Sequence, residues 1–325
     1  MVSISIHGVT RPPYDSELEI ALPGLRDKAP STITPQMIAG LRLPVDEPVF
    51  AETLRKHDAV ARDIRIAGHK GEEIVVSVIA KRDRTGPGPA FLHLHSGGMV
   101  MGNRFDGIDQ FVAWAVRYSG VLVTVEYRLA PEFPDPYPIE DCYSTLTWLA
   151  THAPALAVDM DRVFLVGASA GGGLAAGTAL LSRDRSGPQV AGQLLAYPML
   201  DDRAETLSTT QFEGIGVWDR ISNTTGWSAL LGSRRGGDDV PIYAAPSRAT
   251  DLSGLPPAYL EVGSAEVFRD ETVQYATAIW AAGGRAELHV WPGAFHACDL
   301  LAPDAAISLE MRSARDAWIT RLMAS

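Results

Sequence analysis

Gly167-Ala168-Ser169-Ala170-Gly171 follows the apolar run Val163-Phe164-Leu165-Val166 and opens a Gly- and Ala-rich stretch that reads as a helix through Leu174. A serine in a sharp turn between a strand and a helix is held above the sheet, near the positive end of the helix, and flanking glycines leave room that side chains would deny. Such a serine is suited to nucleophilic attack once a base takes its proton. The pentapeptide alone recurs by chance, so its strand-to-helix setting carries the weight. The other reading, a glycine turn cradling a phosphate, lacks both the lysine of a P-loop and the G-x-G-x-x-G spacing.

Three further segments complete a chemistry of acyl transfer. In His93-Leu94-His95-Ser96-Gly97-Gly98-Met99 the paired glycines let backbone N–H groups turn inward with no Cβ in the way. Together with the N–H of Ala170, those of Gly97 and Gly98 would surround a carbonyl oxygen as it becomes negative, one such donor being worth ~3–4 kcal/mol. His95 is read as ordering its own loop rather than as a base, and His93 with His95 as no metal pair, since no nearby Asp, Glu or Cys completes a site. The base is His296, in the loop Pro292-Gly293-Ala294-Phe295-His296 after the apolar run 288–291. The acid falls between serine and histidine in chain order, after a strand end. Beyond 259–262 stand Glu266, Asp270 and Glu271; Glu266, nearest the strand end, is the expected acid, Asp270 is the reserve, and Arg269 with Asp270 reads as a structural ion pair. Met99, Met101, Trp218 and Trp227 are candidate pocket walls, with ordinary core packing an equal alternative.

To bring these residues together the chain needs a sheet with crossover helices. Short β-rich runs at 74–80, 91–95, 121–126, 163–166, 193–197, 259–262 and 287–291 alternate with helical spacing at 108–115, 139–150, 170–181 and 305–323. Several runs are apolar throughout, as expected of strands buried on both faces. The expected fold is α/β with a mostly parallel central sheet flanked by helices. Residues 1–50 and 201–248 break the alternation. Both are expected to form a helical cap on a catalytic domain spanning 51–325, since Phe212, Trp218 and Trp227 suit the wall of a pocket better than a loop.

The 325 residues, 46% hydrophobic, suffice for one large domain burying roughly three quarters of its unfolded surface. Against 39 Asp and Glu stand 28 Lys and Arg, a net charge of −11 that opposes approach to nucleic acid or anionic membranes. The two cysteines, Cys142 and Cys298, imply neither a disulfide framework nor a metal site, and neither sits in a nucleophile turn. No run of eighteen apolar residues and no apolar leader are seen, so the default expectation is a soluble cytoplasmic protein without a membrane span.

His95-Ser96-Gly97-Gly98, Tyr127-Arg128-Leu129-Ala130-Pro131-Glu132, Gly167 to Gly172 and Phe295-His296 together resemble the hormone-sensitive-lipase-like branch, bacterial family IV, of α/β-hydrolase carboxylesterases. The hexapeptide is the most specific of these, and the likeness runs from about residue 70 to the C-terminus. It implies an α/β-hydrolase fold with a helical cap, hydrolysis of short- to medium-chain carboxylic esters by Ser169, Glu266 and His296, no cofactor, and a homodimer through a sheet edge. The chain departs from the pattern at Ser96, where glycine is usual, at Ala168 for Asp, at Gly173 for Asn and at Glu266 for Asp. Lactones and acetylated metabolites fit the same chemistry. A small-molecule-binding protein with an idle site and an amidase are the rival readings.

Overall fold

The computed structural model describes residues 5–6, 9–26 and 30–324. Of the expected cap segment, residues 1–4, 7–8 and 27–29 lie outside the described residues. Eight strands form one sheet: β1 Ala59–Ala67, β2 Glu73–Lys81, β3 Gly88–Leu94, β4 Val121–Glu126, β5 Val158–Ala168, β6 Gly192–Ala196, β7 Ala258–Gly263 and β8 Ala286–Trp291. Their order is β8-β7-β6-β5-β3-β4-β2-β1, with β2 antiparallel to both its neighbours and every other adjacent pair parallel. All seven residues of β3 and all six of β7 are buried, the result of runs that are apolar on both faces apart from His93 and Glu261.

The longer helices are α1 Ser16–Arg26, α2 Glu47–Lys56, α3 Asp109–Arg117, α4 Tyr137–His152, α5 Ala170–Asp184, α6 Arg220–Leu231, α7 Arg269–Ala281 and α8 Ala306–Ala324. The seven expected strands are present to within a few residues, and β1 is added to them. Its Arg62-Asp63-Ile64-Arg65 stretch has no continuous apolar face, and the strand lies at the sheet's edge, half exposed along its length. Helix α2 packs against β1 and α3, on the outer flank of the sheet.

The strand order reverses around β3, whose neighbours are β4 and β5, and open α/β sheets form a ligand crevice beyond the carboxyl ends of strands at such a point. His93 lies opposite Val166 and Leu94 opposite Gly167, so the loop leaving β3 and the turn leaving β5 emerge side by side. Over this crevice the N-terminal stretch and the 201–248 insertion join. Ile33 N–H donates to Ser222 Oγ at 2.8 Å, Thr225 Oγ1 donates to the Ile33 carbonyl at 2.9 Å, and Thr32 Oγ1 donates to Asp219 Oδ2 at 2.6 Å. Asp219 also caps α6. Among the described residues no helix is long and apolar enough to cross a membrane.

Candidate active site

Ser169 is the single residue between β5 and α5. Its φ of 56° and ψ of −121° are a conformation that costs about 1–3 kcal/mol in a residue with a side chain, and it persists where surrounding bonds over-determine it. Ser169 N–H donates to the Ala196 carbonyl at 2.9 Å, and the Ser169 carbonyl accepts from Met199 N–H at 2.9 Å and Gly173 N–H at 3.0 Å. Glycine at 171 is required by close approach, since a Cβ there would stand 1.9 Å from the Leu94 carbonyl oxygen at the end of β3.

The Ser169 hydroxyl meets His296 Nε2 at 3.0 Å, and His296 Nδ1–H donates to Glu266 Oε2 at 2.6 Å. The other Glu266 oxygen accepts Gly263 N–H at 2.9 Å, so the carboxylate is held at the strand end it follows. With Nδ1 donating, Nε2 is the acceptor for the hydroxyl. The loops after β7 and β8 are tied together: Gly293 N–H donates to Ser264 Oγ at 2.8 Å and Ser264 N–H to the Trp291 carbonyl at 2.8 Å. All three side chains are buried. The reserve carboxylate turns elsewhere: Asp270 pairs with Arg269 Nε at 2.7 Å, as its neighbour in sequence suggests, and accepts Ser208 N–H at 2.8 Å. Glu271 accepts Leu200 N–H at 2.7 Å.

Gly97 and Gly98 have φ of 110° and 62°. Among the described residues, the N–H groups of Gly97, Gly98 and Ala170 donate to no protein acceptor, and both glycines border the same cavity as Ser169. A Cβ on Gly98 would stand 2.4 Å from Trp218 Cη2, so the indole lies directly on this loop. The hexapeptide noted in the sequence braces the loop from behind. Tyr127 stacks on His95 with ring centroids 4.0 Å apart and donates its hydroxyl to the His95 carbonyl at 2.8 Å, while Ala130 N–H donates to the Met99 carbonyl at 2.9 Å. Arg128 forms a bidentate pair with buried Asp141, at 2.6 and 2.9 Å, which anchors the brace. Only the hexapeptide's resemblance flagged it; its action on the loop was not readable from spacing.

His95 donates from Nδ1 to the Ser96 carbonyl at 2.8 Å, and burial holds its pKa below the usual histidine range. His93 lies at the Thr124 hydroxyl, 2.9 Å away, and burial pushes it down to about 3. Both rings are therefore neutral parts of the scaffold. Cys142 and Cys298 are buried free thiols, and burial pushes both upward, away from reactivity.

An apolar cavity of ≈ 250 Å³ borders Ser169 and His296. Of the four expected walls, Met101 and Trp218 line it, joined by Ile33, Leu41, Val217 and Tyr197. Met99 and Trp227 do not line it and belong to the core. Met99 takes a left-handed turn after Gly98, leaving Met101 to the cavity. On α6 it is Gly226 that faces the Gly98 carbonyl, and Trp227, about 100° further round the helix, points inward. Larger hollows of ≈ 440, ≈ 530 and ≈ 410 Å³ lie by Pro188, by Arg162 and by Trp280, near the amino ends of β5 to β8, remote from this chemistry.

Comparison with known proteins places the chain in a family. Residues 91–300 match the family described as alpha/beta hydrolase fold. The chain belongs to that family, in its hormone-sensitive-lipase-like branch. It is 35% identical over 206 residues to Esterase LipI of Mycobacterium tuberculosis, a match covering 62% of this chain and 62%, under two thirds, of that protein. Among solved structures it is similar to a bacterial heroin esterase, with a TM-score of 0.85, 36% identity and coverage of 96% of this chain and 98% of the other. It is also similar to a hyperthermophilic esterase from the archaeon Pyrobaculum calidifontis, with a TM-score of 0.84, 28% identity and coverage of 96% and 100%.

Proposed function

We propose that this chain is a serine carboxylesterase that hydrolyses short- to medium-chain carboxylic esters through an acyl-enzyme. The observation that carries the reading is the unbroken Ser169–His296–Glu266 chain of hydrogen bonds at 3.0 and 2.6 Å, beside backbone N–H groups that no acceptor among the described residues takes. His296 Nε2 takes the Ser169 proton as Oγ attacks the ester carbonyl, and the N–H groups of Gly97, Gly98 and Ala170 receive the oxyanion. His296 then gives that proton to the departing alcohol. A water, deprotonated by the same Nε2, releases the acid and restores Ser169. Glu266 stays ionised, holding the imidazole tautomer and stabilising the imidazolium. Glutamate performs the usual aspartate's task because Gly263 N–H fixes its other oxygen.

The cavity supports the substrate range: ≈ 250 Å³ bounded by Trp218, Met101 and Val217 suits a small apolar acyl or alcohol group. In this reading residues 1–50 and 201–248 act as the cap over the catalytic domain. A cytoplasmic location and a homodimer through the sheet edge belong to the same proposal; sedimentation equilibrium returning the mass of a single chain overturns the dimer.

The test is turnover of p-nitrophenyl esters from acetate to palmitate by the purified protein and by Ser169→Ala. The expected result is hydrolysis of the short esters, abolished in the variant. A wild type that turns over no ester, or a Ser169→Ala that keeps full activity, sinks the proposal and leaves a binding protein on the same fold in its place.

A further inference from the structure

Behind His296 lies a buried charged cluster that the chemistry above leaves unused. Arg315 of α8, 4% exposed, pairs through Nη1 with Asp299 Oδ2 at 2.7 Å and through Nε with Glu261 of β7. The second Glu261 oxygen accepts the Tyr259 hydroxyl at 3.0 Å and Trp291 Nε1–H at 2.9 Å. Asp299 follows His296 by three residues, and its remaining oxygen accepts the Tyr197 hydroxyl at 2.9 Å. Burying two carboxylates and one guanidinium is poor economy for stability alone, because well-packed apolar groups of the same volume do as well or better. A cluster of this kind at a site therefore calls for a role.

Tyr197 shows where that role lies. It follows β6 with a φ of 37°, unusual for an aromatic residue, and its N–H donates to the Glu261 carbonyl at 2.6 Å. Its ring stands 5.0 Å from the His296 ring at 75°, with Phe268 against the same imidazole at 5.1 Å and 72°. Burial and Asp299 raise the Tyr197 phenol well above its ordinary value, so it remains a donor. Burial works against the Arg315 charge, but Asp299 and Glu261 outweigh it, and the guanidinium stays ionised.

With Cγ held by the chain and Nδ1 by Glu266, the imidazole can still tilt about the line joining those two atoms, a motion that swings Nε2. A second constraint must come from groups packed on the ring. We propose that Tyr197 is a positioning residue for His296, braced through its hydroxyl by Asp299 and Arg315, and that this brace holds Nε2 in line with the Ser169 hydroxyl. The inference rests on the serine-esterase reading for its kinetic consequence, but the brace itself can be observed without turnover.

Tyr197→Phe keeps the ring and removes the brace; Asp299→Asn keeps the shape and removes the charge. With a short p-nitrophenyl ester, each variant is expected to lower kcat by about 10- to 100-fold, the scale of loss from sub-ångström misplacement, with KM nearly unchanged. The double variant is expected to lose no more than the worse single one, since both act through one path. In proton NMR the downfield Nδ1–H of His296 in the wild type is expected to broaden in both variants at temperatures well below unfolding. A merely structural role lowers the melting temperature but leaves kcat of the folded protein and that resonance in place. Wild-type kcat in Tyr197→Phe, strictly additive losses, or an unchanged resonance overturns the brace. A wild type without turnover overturns the esterase reading instead, and the NMR comparison still decides the brace.

Discussion

At the scale of single residues, the acid position is the sharpest point of comparison, because three carboxylates follow β7 within eight residues. Glu266 alone reaches His296; Asp270 is engaged by Arg269 and Ser208, and Glu271 by the backbone of Leu200. Glu266→Ala is expected to lower kcat on the order of 10³- to 10⁴-fold, as for loss of the orienting carboxylate in other triads. Asp270→Ala is expected to keep kcat near wild type while melting earlier. The reverse ranking in steady-state kinetics sinks the assignment. Chain order and distance from the strand end point to Glu266, the carboxylate that bonds His296, while Asp270 and Glu271, in the first turn of α7, are turned to other partners.

At the scale of elements, the active site depends on how closely the β3 loop, the β5–α5 turn and the α6 segment approach one another. Gly171→Ala puts a Cβ 1.9 Å from the Leu94 carbonyl, and the loss of stability is expected near 3 kcal/mol, the upper end for overpacking, as read by urea unfolding. Gly98→Ala meets Trp218 at 2.4 Å and demands a left-handed backbone from alanine. Displacement of one oxyanion donor is expected to lower kcat on the order of 10²-fold. Turnover at the wild-type level would show that this N–H does not take the oxyanion. Trp218→Ala is expected to enlarge the cavity and shift the kcat/KM optimum toward longer acyl chains; an unchanged chain-length profile removes Trp218 from the specificity wall. Apolar runs and glycine-rich turns made β3, β5 and the start of α5 legible, whereas α6 fell in a stretch that breaks the alternation. Their mutual approach was not legible, because the contacts join residues such as Gly98 and Trp218 that lie far apart in the chain.

At the scale of the whole molecule, buried neutral histidines couple folding to pH. Burial lowers His93 to about 3 in the folded chain, against an ordinary value near 6.5. The unfolded chain binds the extra proton first, so this stabilising contribution is complete above about pH 6.5 and is lost as pH falls toward 3. Between pH 7 and pH 5 the His93 share of that loss is about 2 kcal/mol. Urea midpoints at the two pH values are expected to differ less for His93→Gln than for the wild type. An equal difference in both proteins assigns the effect to other groups, His95 first among them.

What the order of residues determined by itself depends on local geometry. Continuous apolar runs specify strands buried on both faces, glycines around Ser169 specify a sharp turn, and chain order places serine, acid and base. The edge strand β1 escaped because Arg62 interrupts its Val60, Ile64 and Ile66 face and Asp63 and Arg65 occupy the other. Which of Met99, Met101, Trp218 and Trp227 line the cavity was decided only by the tertiary structure, since all four are apolar and burial does not distinguish core from pocket. The same holds for the Tyr127 brace and the Arg315 cluster. Their defining contacts, Tyr127 to His95, Tyr197 to Asp299 and Arg315 to Asp299, join residues 32, 102 and 16 positions apart, whose common location depends on strand order and register, and neither is written in any one segment.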